Sequence, residues 1–147
     1  MPIPLPASKV SSQDDFTFVN LEGALTSHTV PAEKQYRFRG PTAYGTILTE
    51  GSVEAVTLAN NHTLDYGKTG LQETRQVLKA LGVAAGGDGE TFLYTTSQGL
   101  KIGVYTAYHF GKPQIRQSIE TLQNQGAEVI VAAFHSGAEG SYTPTAG

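Results

Sequence analysis

The sequence contains no cysteine among its 147 residues. That absence excludes disulfide bonds, zinc sites built from thiolates and a cysteine nucleophile. It leaves the cellular compartment open, because exported bacterial domains also often lack cysteine.

Runs of basic residues are missing as well. The chain has 10 lysines and arginines against 13 acidic residues, which gives a net charge of −3. A nucleic-acid-binding surface needs clustered positive charge. We therefore expect no nucleic-acid partner.

Long apolar runs are also absent. No stretch approaches the ~18 consecutive apolar residues of a membrane-spanning helix. The first ten residues have prolines at positions 2, 4 and 6 and lack the basic flank and apolar run of a signal peptide. We expect residues 1–14 to form an extended terminal arm and residues 15–147 to form one domain, large enough to bury roughly two-thirds of its surface.

Apolar patterns in the remaining chain alternate between the periods of strands and helices. The predicted strands lie at 16–21, 53–59, 83–85, 91–96, 100–107 and 128–134, and the predicted helices at 41–50, 67–81 and 113–125. Alternation of this kind is typical of an α/β fold. The hairpin expected around the Gln98-Gly99 turn makes the sheet mixed, although largely parallel, with helices flanking it.

Three of the predicted strands run into metal-ligand or proton-transfer groups. These groups are Glu22, Asn61 with His62, and His135. The carboxyl ends of parallel strands lie on one edge of a sheet, so we expect the groups to converge there. A carboxylate, an amide oxygen and imidazoles suit a divalent ion such as Mn, Zn, Fe or Mg. The sequence thus predicts a divalent-metal site.

Other residues near these positions have weaker claims. Glu139 follows His135 by four residues and is a candidate ligand, or a hydrogen-bonding support for one. Asn60 is a similar candidate, although asparagines after a strand are also common turn residues. Alternation places Arg37 and Arg39 on one face, where they would contact a phosphate or a carboxylate, or simply face solvent.

Four segments of the chain resemble a known family. They are N-L-E-G at 20–23, F-R-G-P at 38–41, L-A-N-N-H-T-L-D-Y-G at 58–67 and H-S-G-A-E at 135–139. In this order they resemble bacterial capsule synthesis proteins of the CapA or PgsA type. That family handles poly-γ-glutamate and is similar in fold to the calcineurin-like metallophosphoesterases.

The resemblance implies a layered metallophosphoesterase-like sandwich and a role for each matching residue. Glu22 would be a bridging ligand, and Asn61 and His135 would be further ligands. His62 would be a general acid or a phosphate contact, oriented by Asp65. In such sites metal ions polarise the ester while a histidine protonates the leaving group.

The resemblance is not complete at either end of the chain. The family begins with a Gly-Asp strand and continues into a Gly-His-x-x-His type segment, and the sequence shows neither. We therefore expect a domain that is incomplete at both ends, with part of the metal shell missing. Open sheet edges in such a domain would favour a homodimer.

Two classes of function remain open. One is a metal-dependent hydrolase acting on a phosphoester or on the γ-glutamyl amide of poly-γ-glutamate. The other is a non-catalytic module that holds the acidic polymer while membrane capsule-synthesis subunits polymerise and export it. The resemblance implies an extracytoplasmic location, with membrane anchoring in full-length family members.

Overall fold

The computed structural model describes residues 13–111 and 113–137. By its internal contacts the chain divides into two compact units, residues 1–58 with 62–85 and residues 59–61 with 86–147. Of the predicted arm, only residues 13 and 14 are described, and Glu139 lies outside the described residues. The predicted domain limits stay a prediction.

The first unit contains a three-stranded sheet and a two-stranded sheet. The larger sheet has the order β1-β4-β5, formed by β1 (Phe18–Asn20), β4 (Ala55–Thr57) and β5 (Ala84–Gly86). The smaller sheet pairs β2 (Ala24–Leu25) with β3 (Arg39–Gly40). Both β1–β4 and β2–β3 are parallel pairs.

Two helices accompany these strands. The first, α1 (Thr46–Glu50), follows a 3₁₀ turn at Thr42–Gly45, so the helix predicted at 41–50 exists but begins in the tighter form. The second, α2 (Gly67–Leu81), has the predicted bounds. It ends at Gly82, whose φ of 75° gives the left-handed conformation that commonly closes a helix.

The core of the first unit lies between α2 and the larger sheet. It is a cluster of buried aliphatic side chains: Val56, Leu58, Leu78 and Val83. Burying an aliphatic side chain of this size stabilises the fold by about 1.5–3 kcal/mol. This packing holds α2 against β4, and the residues between these two elements carry the candidate site.

The second unit contains a sheet of order β6-β7-β8. The hairpin of β6 (Glu90–Thr95) and β7 (Lys101–Tyr108) is antiparallel, as predicted, and β8 (Val129–His135) pairs with β7 in parallel. Between β7 and β8 runs α3 (Ile115–Asn124), and its Leu122 is buried in this unit's core with Tyr105 and Ala107.

The predicted fold class, mixed α/β with parallel strands flanked by helices, is confirmed. The distribution of strands between sheets was not predicted. In the described residues, β1 and β4, which precede Glu22 and His62, share one sheet, whereas β8, which ends at His135, belongs to another. No helix in this part of the chain has the length and hydropathy of a membrane span.

Candidate functional site

The turn between β4 and α2 carries the central pair of the candidate site, His62 and Asp65. Thr63 helps to close this turn by donating its hydroxyl hydrogen to the carbonyl of Leu58. The backbone N–H of Asp65 donates to the carbonyl of His62 at 3.3 Å. The turn therefore brings two side chains three residues apart onto the same side, and both are buried, with 4% of His62 and 0% of Asp65 exposed.

His62 and Asp65 form a short hydrogen bond. Nδ1 of His62 lies 2.6 Å from Oδ2 of Asp65. An ionised carboxylate can only accept hydrogen bonds, so the Nδ1 atom carries the proton. The other ring nitrogen, Nε2, is then the one that faces away from Asp65 and can exchange a proton or bind a cation.

Two further groups bind the carboxylate of Asp65. Nζ of Lys34 lies 2.5 Å from Oδ1, and the backbone N–H of Phe38 donates to Oδ2 at 2.7 Å. Burial raises the pKa of Asp65, but the hydrogen bonds from Lys34, His62 and Phe38 outweigh burial and hold the pKa below its ordinary value. Asp65 is therefore an anion at neutral pH.

The ring of Phe38 packs on the ring of His62. Their centroids are 3.9 Å apart and the planes differ by 21°, so the rings are stacked. Phe38 itself is 45% exposed. One face of the imidazole is thus covered by a hydrocarbon ring, which fixes the plane of His62.

Glu22 lies at the Nε2 edge of the His62 ring. Its Oε1 is 3.9 Å from Nε2 of His62, while its Oε2 accepts a hydrogen bond from Nδ2 of Asn20 at 2.9 Å. The separation of 3.9 Å is too long for a hydrogen bond. Two ligand atoms that each lie ~2.1 Å from one cation are at most ~4.2 Å apart. Glu22 and His62 therefore have a spacing that one cation can bridge.

The donor set in this unit fits a divalent cation only in part. Asp65 is already bound by three donors, whereas Glu22 and His62 have the spacing that one cation can bridge. Among the described residues no group of three or more histidine, aspartate or glutamate side chains could hold a metal ion. The other predicted ligands, Asn61 and His135, belong to the second unit.

Those second-unit candidates have distinct surroundings. Asn60 is buried, with 5% exposed, and the side-chain oxygen of Asn61 is also buried. His135 ends β8, and its ring centroid lies 5.9 Å from that of Tyr108. Its carbonyl accepts a hydrogen bond from the backbone of His109 at 3.1 Å. The predicted convergence of these groups with Glu22 stays a prediction.

The two candidate anion contacts also differ. Arg39 lies in β3, donates to the carbonyl of His28 at 3.0 Å and places its guanidinium carbon 5.2 Å from the centroid of the Tyr66 ring. Arg37 is exposed and precedes the strand. Glu139 lies outside the described residues, so its predicted role is not addressed.

Sequence reasoning missed Lys34 and the backbone amide of Phe38. Lys34 is 31 residues from Asp65, in an irregular segment without periodicity, so no local pattern indicates their contact. A weak signal existed for Phe38, which begins the F-R-G-P segment. Asn20 belongs to the N-L-E-G segment, but the hydrogen bond from its amide to Glu22 was not predicted.

Comparison with protein families gives one match that covers nearly the whole chain. A family model described as bacterial capsule synthesis protein PGA_cap matches residues 3–147. Comparison with curated proteins gives no significant match. The matched region includes every described residue of the candidate site.

Proposed function

The chain belongs to the bacterial capsule synthesis protein family PGA_cap, and from that premise we propose that it is a metal-dependent hydrolase of a phosphoester or of the γ-glutamyl amide in an acidic capsule polymer. The family indicates capsule biosynthesis and a role at the cell surface. Poly-γ-glutamate is the polymer that we propose, and membrane capsule-synthesis subunits are the proposed partners.

The observation that carries this proposal is the buried His62–Asp65 pair with Nε2 facing Glu22. Asp65 fixes the proton on Nδ1 and stabilises the imidazolium whenever Nε2 is also protonated. The imidazolium can then give its Nε2 proton to a leaving oxygen or nitrogen, and the neutral ring can take a proton back. General acid–base catalysis of this kind contributes roughly 10²–10⁴-fold in rate.

A divalent cation, Mn, Zn, Fe or Mg, would be held by Glu22, Asn61 and His135. When bound, it would supply Lewis acidity to the scissile phosphoryl or carbonyl group. The role of Asn60 and Glu139 in this proposal is to support the ligands. The protein groups near His62 are arranged to orient the ring and to keep one face of it dry.

Cationic side chains would attract the substrate. Each residue of poly-γ-glutamate carries a free carboxylate, and a phosphoester is also an anion. Arg37 precedes β3 and Arg39 lies in it, and both are exposed and next in sequence to Phe38, whose ring packs on His62. Guanidinium groups bind carboxylates and phosphates through paired hydrogen bonds.

Replacing His62 by alanine tests the catalytic role. The assay is hydrolysis of a generic phosphodiester and of poly-γ-glutamate by the purified protein, with Mn²⁺ or Zn²⁺ added. We expect His62→Ala to lower kcat by roughly 100-fold or more. The matched control is His28→Ala, a histidine whose backbone rather than its ring makes the contact with Arg39. Equal turnover by wild type and His62→Ala would refute the role of His62.

A second function is a non-catalytic module that holds the polymer during assembly or export. It is favoured by the small donor set, because in the described residues no three histidine, aspartate or glutamate side chains group as metal ligands. This module would bind poly-γ-glutamate without turnover, and binding would weaken in Arg37→Ala.

Removing a proposed metal ligand separates the two functions further. If Asn61 is a ligand, Asn61→Ala should weaken Mn²⁺ or Zn²⁺ binding roughly 10-fold or more, as measured by calorimetry. Unchanged metal affinity in Asn61→Ala would show that Asn61 is not a ligand. If the wild-type protein hydrolyses neither substrate, the non-catalytic assembly module is the function that remains.

A further inference from the structure

The segment at 32–38, here named the strap, covers the His62–Asp65 pair. At its start the backbone N–H of Ala32 donates to the carbonyl of Asp65 at 2.8 Å. At its end Phe38 donates its N–H to Asp65 and stacks its ring on His62. Between these two ends of the strap, Lys34 contacts the side chain of Asp65. The strap therefore holds both the backbone and the side chain of Asp65.

The contact made by Lys34 differs in kind from the others, because it brings a full positive charge. Asp65 is completely buried, whereas the side chain of Lys34 is 35% exposed. A buried carboxylate without a charged partner is strongly unfavourable. Lys34 supplies that partner while part of its own side chain remains in water, so the desolvation cost falls mainly on Asp65.

The two oxygens of Asp65 are divided between different partners. Oδ1 is held by Lys34, whereas Oδ2 accepts from both Phe38 and His62. Anchoring Oδ1 fixes the rotation of the carboxylate about its Cβ–Cγ bond. That rotation decides whether Oδ2 meets Nδ1 of His62 at hydrogen-bonding distance.

The orientation of His62 depends on two constraints. Stacking on Phe38 fixes the plane of the ring, but a ring turned over in that plane would stack equally well. The bond from Nδ1 to Asp65 selects one of the two orientations, the one that brings Nε2 to Glu22. Any residue that anchors Asp65 thus also acts on His62.

We propose that Lys34 is a positioning residue, which by anchoring Oδ1 of Asp65 holds the His62 ring with Nδ1 bonded and Nε2 toward Glu22. Lys34 acts on His62 through Asp65. The catalytic use of this arrangement rests on the proposed function, but the arrangement itself can be measured without any substrate.

The test is NMR of the histidine ring nitrogens in ¹⁵N-labelled protein at alkaline pH. Wild type should show a His62 Nδ1–H proton that is shifted far downfield and exchanges slowly, together with an unprotonated Nε2. In Lys34→Met the intensity of that Nδ1–H signal should fall at least several-fold. Lys34→Arg should retain it, because a guanidinium also binds carboxylates well.

A matched control removes a lysine from the same unit. Lys68 is exposed and lies in the first turn of α2, so Lys68→Met changes the net charge equally. We expect its His62 spectrum to equal that of wild type. A His62 spectrum altered to the same extent in Lys68→Met would overturn the inference, because the effect would then come from net charge alone.

Folding is controlled separately. Circular dichroism should show each variant folded, and Lys34→Leu, which has neither a donor nor a charge, replaces Lys34→Met if the latter does not fold. A folded Lys34→Met or Lys34→Leu with the wild-type Nδ1–H signal and tautomer overturns the inference. The inference is also overturned if the signal is lost in Lys34→Arg as well as in Lys34→Met.

The activity assay distinguishes this inference from the proposed function. The first case is that the bonded Nδ1–H signal is present in wild type and lost in Lys34→Met, while wild type hydrolyses neither substrate. The positioning role then holds and the hydrolase proposal fails. If wild type is active, kcat should fall roughly 10-fold or more in Lys34→Met with KM nearly unchanged. Full activity with an unchanged spectrum in that variant would leave the hydrolase and remove the positioning role.

Discussion

Replacing Asp65 by asparagine perturbs the whole network with almost no change in side-chain volume. In the wild-type protein the carboxylate accepts hydrogen bonds from Lys34, from the backbone N–H of Phe38 and from Nδ1 of His62. An amide has one acceptor oxygen, so an asparagine that keeps the bonds from Phe38 and His62 at the Oδ2 position turns its NH₂ group toward Lys34. Two charge-assisted bonds are therefore lost or weakened.

The expected loss of stability follows from these contacts. Lys34 is partly exposed and can turn to water, so its bond contributes about 1 kcal/mol, and the buried bond to His62 contributes about 1–2 kcal/mol. Asp65→Asn should then lower the free energy of unfolding by about 2–3 kcal/mol. With a urea slope of about 2 kcal/mol per molar, the unfolding midpoint should fall by about 1–1.5 M.

Urea unfolding followed by circular dichroism measures this change, and the hydrolysis assay measures its functional consequence. A neutral amide no longer supplies the negative charge that stabilises a His62 imidazolium, so kcat should fall by at least about 10-fold. Asp14→Asn is the control: Asp14 accepts a hydrogen bond from the Thr17 hydroxyl at an exposed position. Its replacement should cost less than about 0.5 kcal/mol. An unfolding midpoint for Asp65→Asn equal to that of Asp14→Asn would refute the network.

Two further predictions concern the contacts that join α2 to the strands and loop beside it. Thr74→Val removes the hydroxyl that accepts a hydrogen bond from a buried backbone N–H of β2 at 2.9 Å. It should lower the free energy of unfolding in urea by about 1–3 kcal/mol. The control Thr121→Val, at an exposed position of α3, should lower it by less than about 0.5 kcal/mol. Equal costs for the two valines would contradict this reading. Hydrogen bonds from Thr26 and then Ser27 hold the pKa of Glu73 below its ordinary value. Their stabilisation is full above the ordinary glutamate pKa of about 4.3 and is lost as the pH falls through the lowered value in the folded state. Acid unfolding of Glu73→Gln should lack this component, and a pH profile identical to that of wild type would disprove it.

Local patterns were sufficient for most secondary structure. The helix predicted at 67–81 has those bounds because its apolar period and Gly82 specify a helix and its end within a few residues of chain. The hairpin of β6 and β7 is likewise encoded by two short β-prone runs and the glycine turn between them. The extents of strands were less well predicted, since only Ala55–Thr57 of the run at 53–59 pairs in the sheet.

The candidate site was predictable only where its contacts are local. His62 and Asp65 are three residues apart in one turn, so the local sequence is enough to predict that they lie close together. Lys34 and Phe38 reach Asp65 from 31 and 27 residues away, through a segment that has neither helix nor strand period. Such contacts are chosen by the folded chain as a whole, because a buried charge must find its partner wherever the backbone brings one.

By itself, the sequence determined the order of the helices and of the strands other than β2 and β3, the family and the turn that pairs a histidine with an aspartate. Tertiary structure alone decided that β8 pairs with β7 in a sheet apart from β1 and β4, and that a lysine from a distant loop anchors Asp65. The physical reason is range: periodicity and turn chemistry act over a few residues, whereas strand pairing and charge burial depend on which distant segments come together when the core forms.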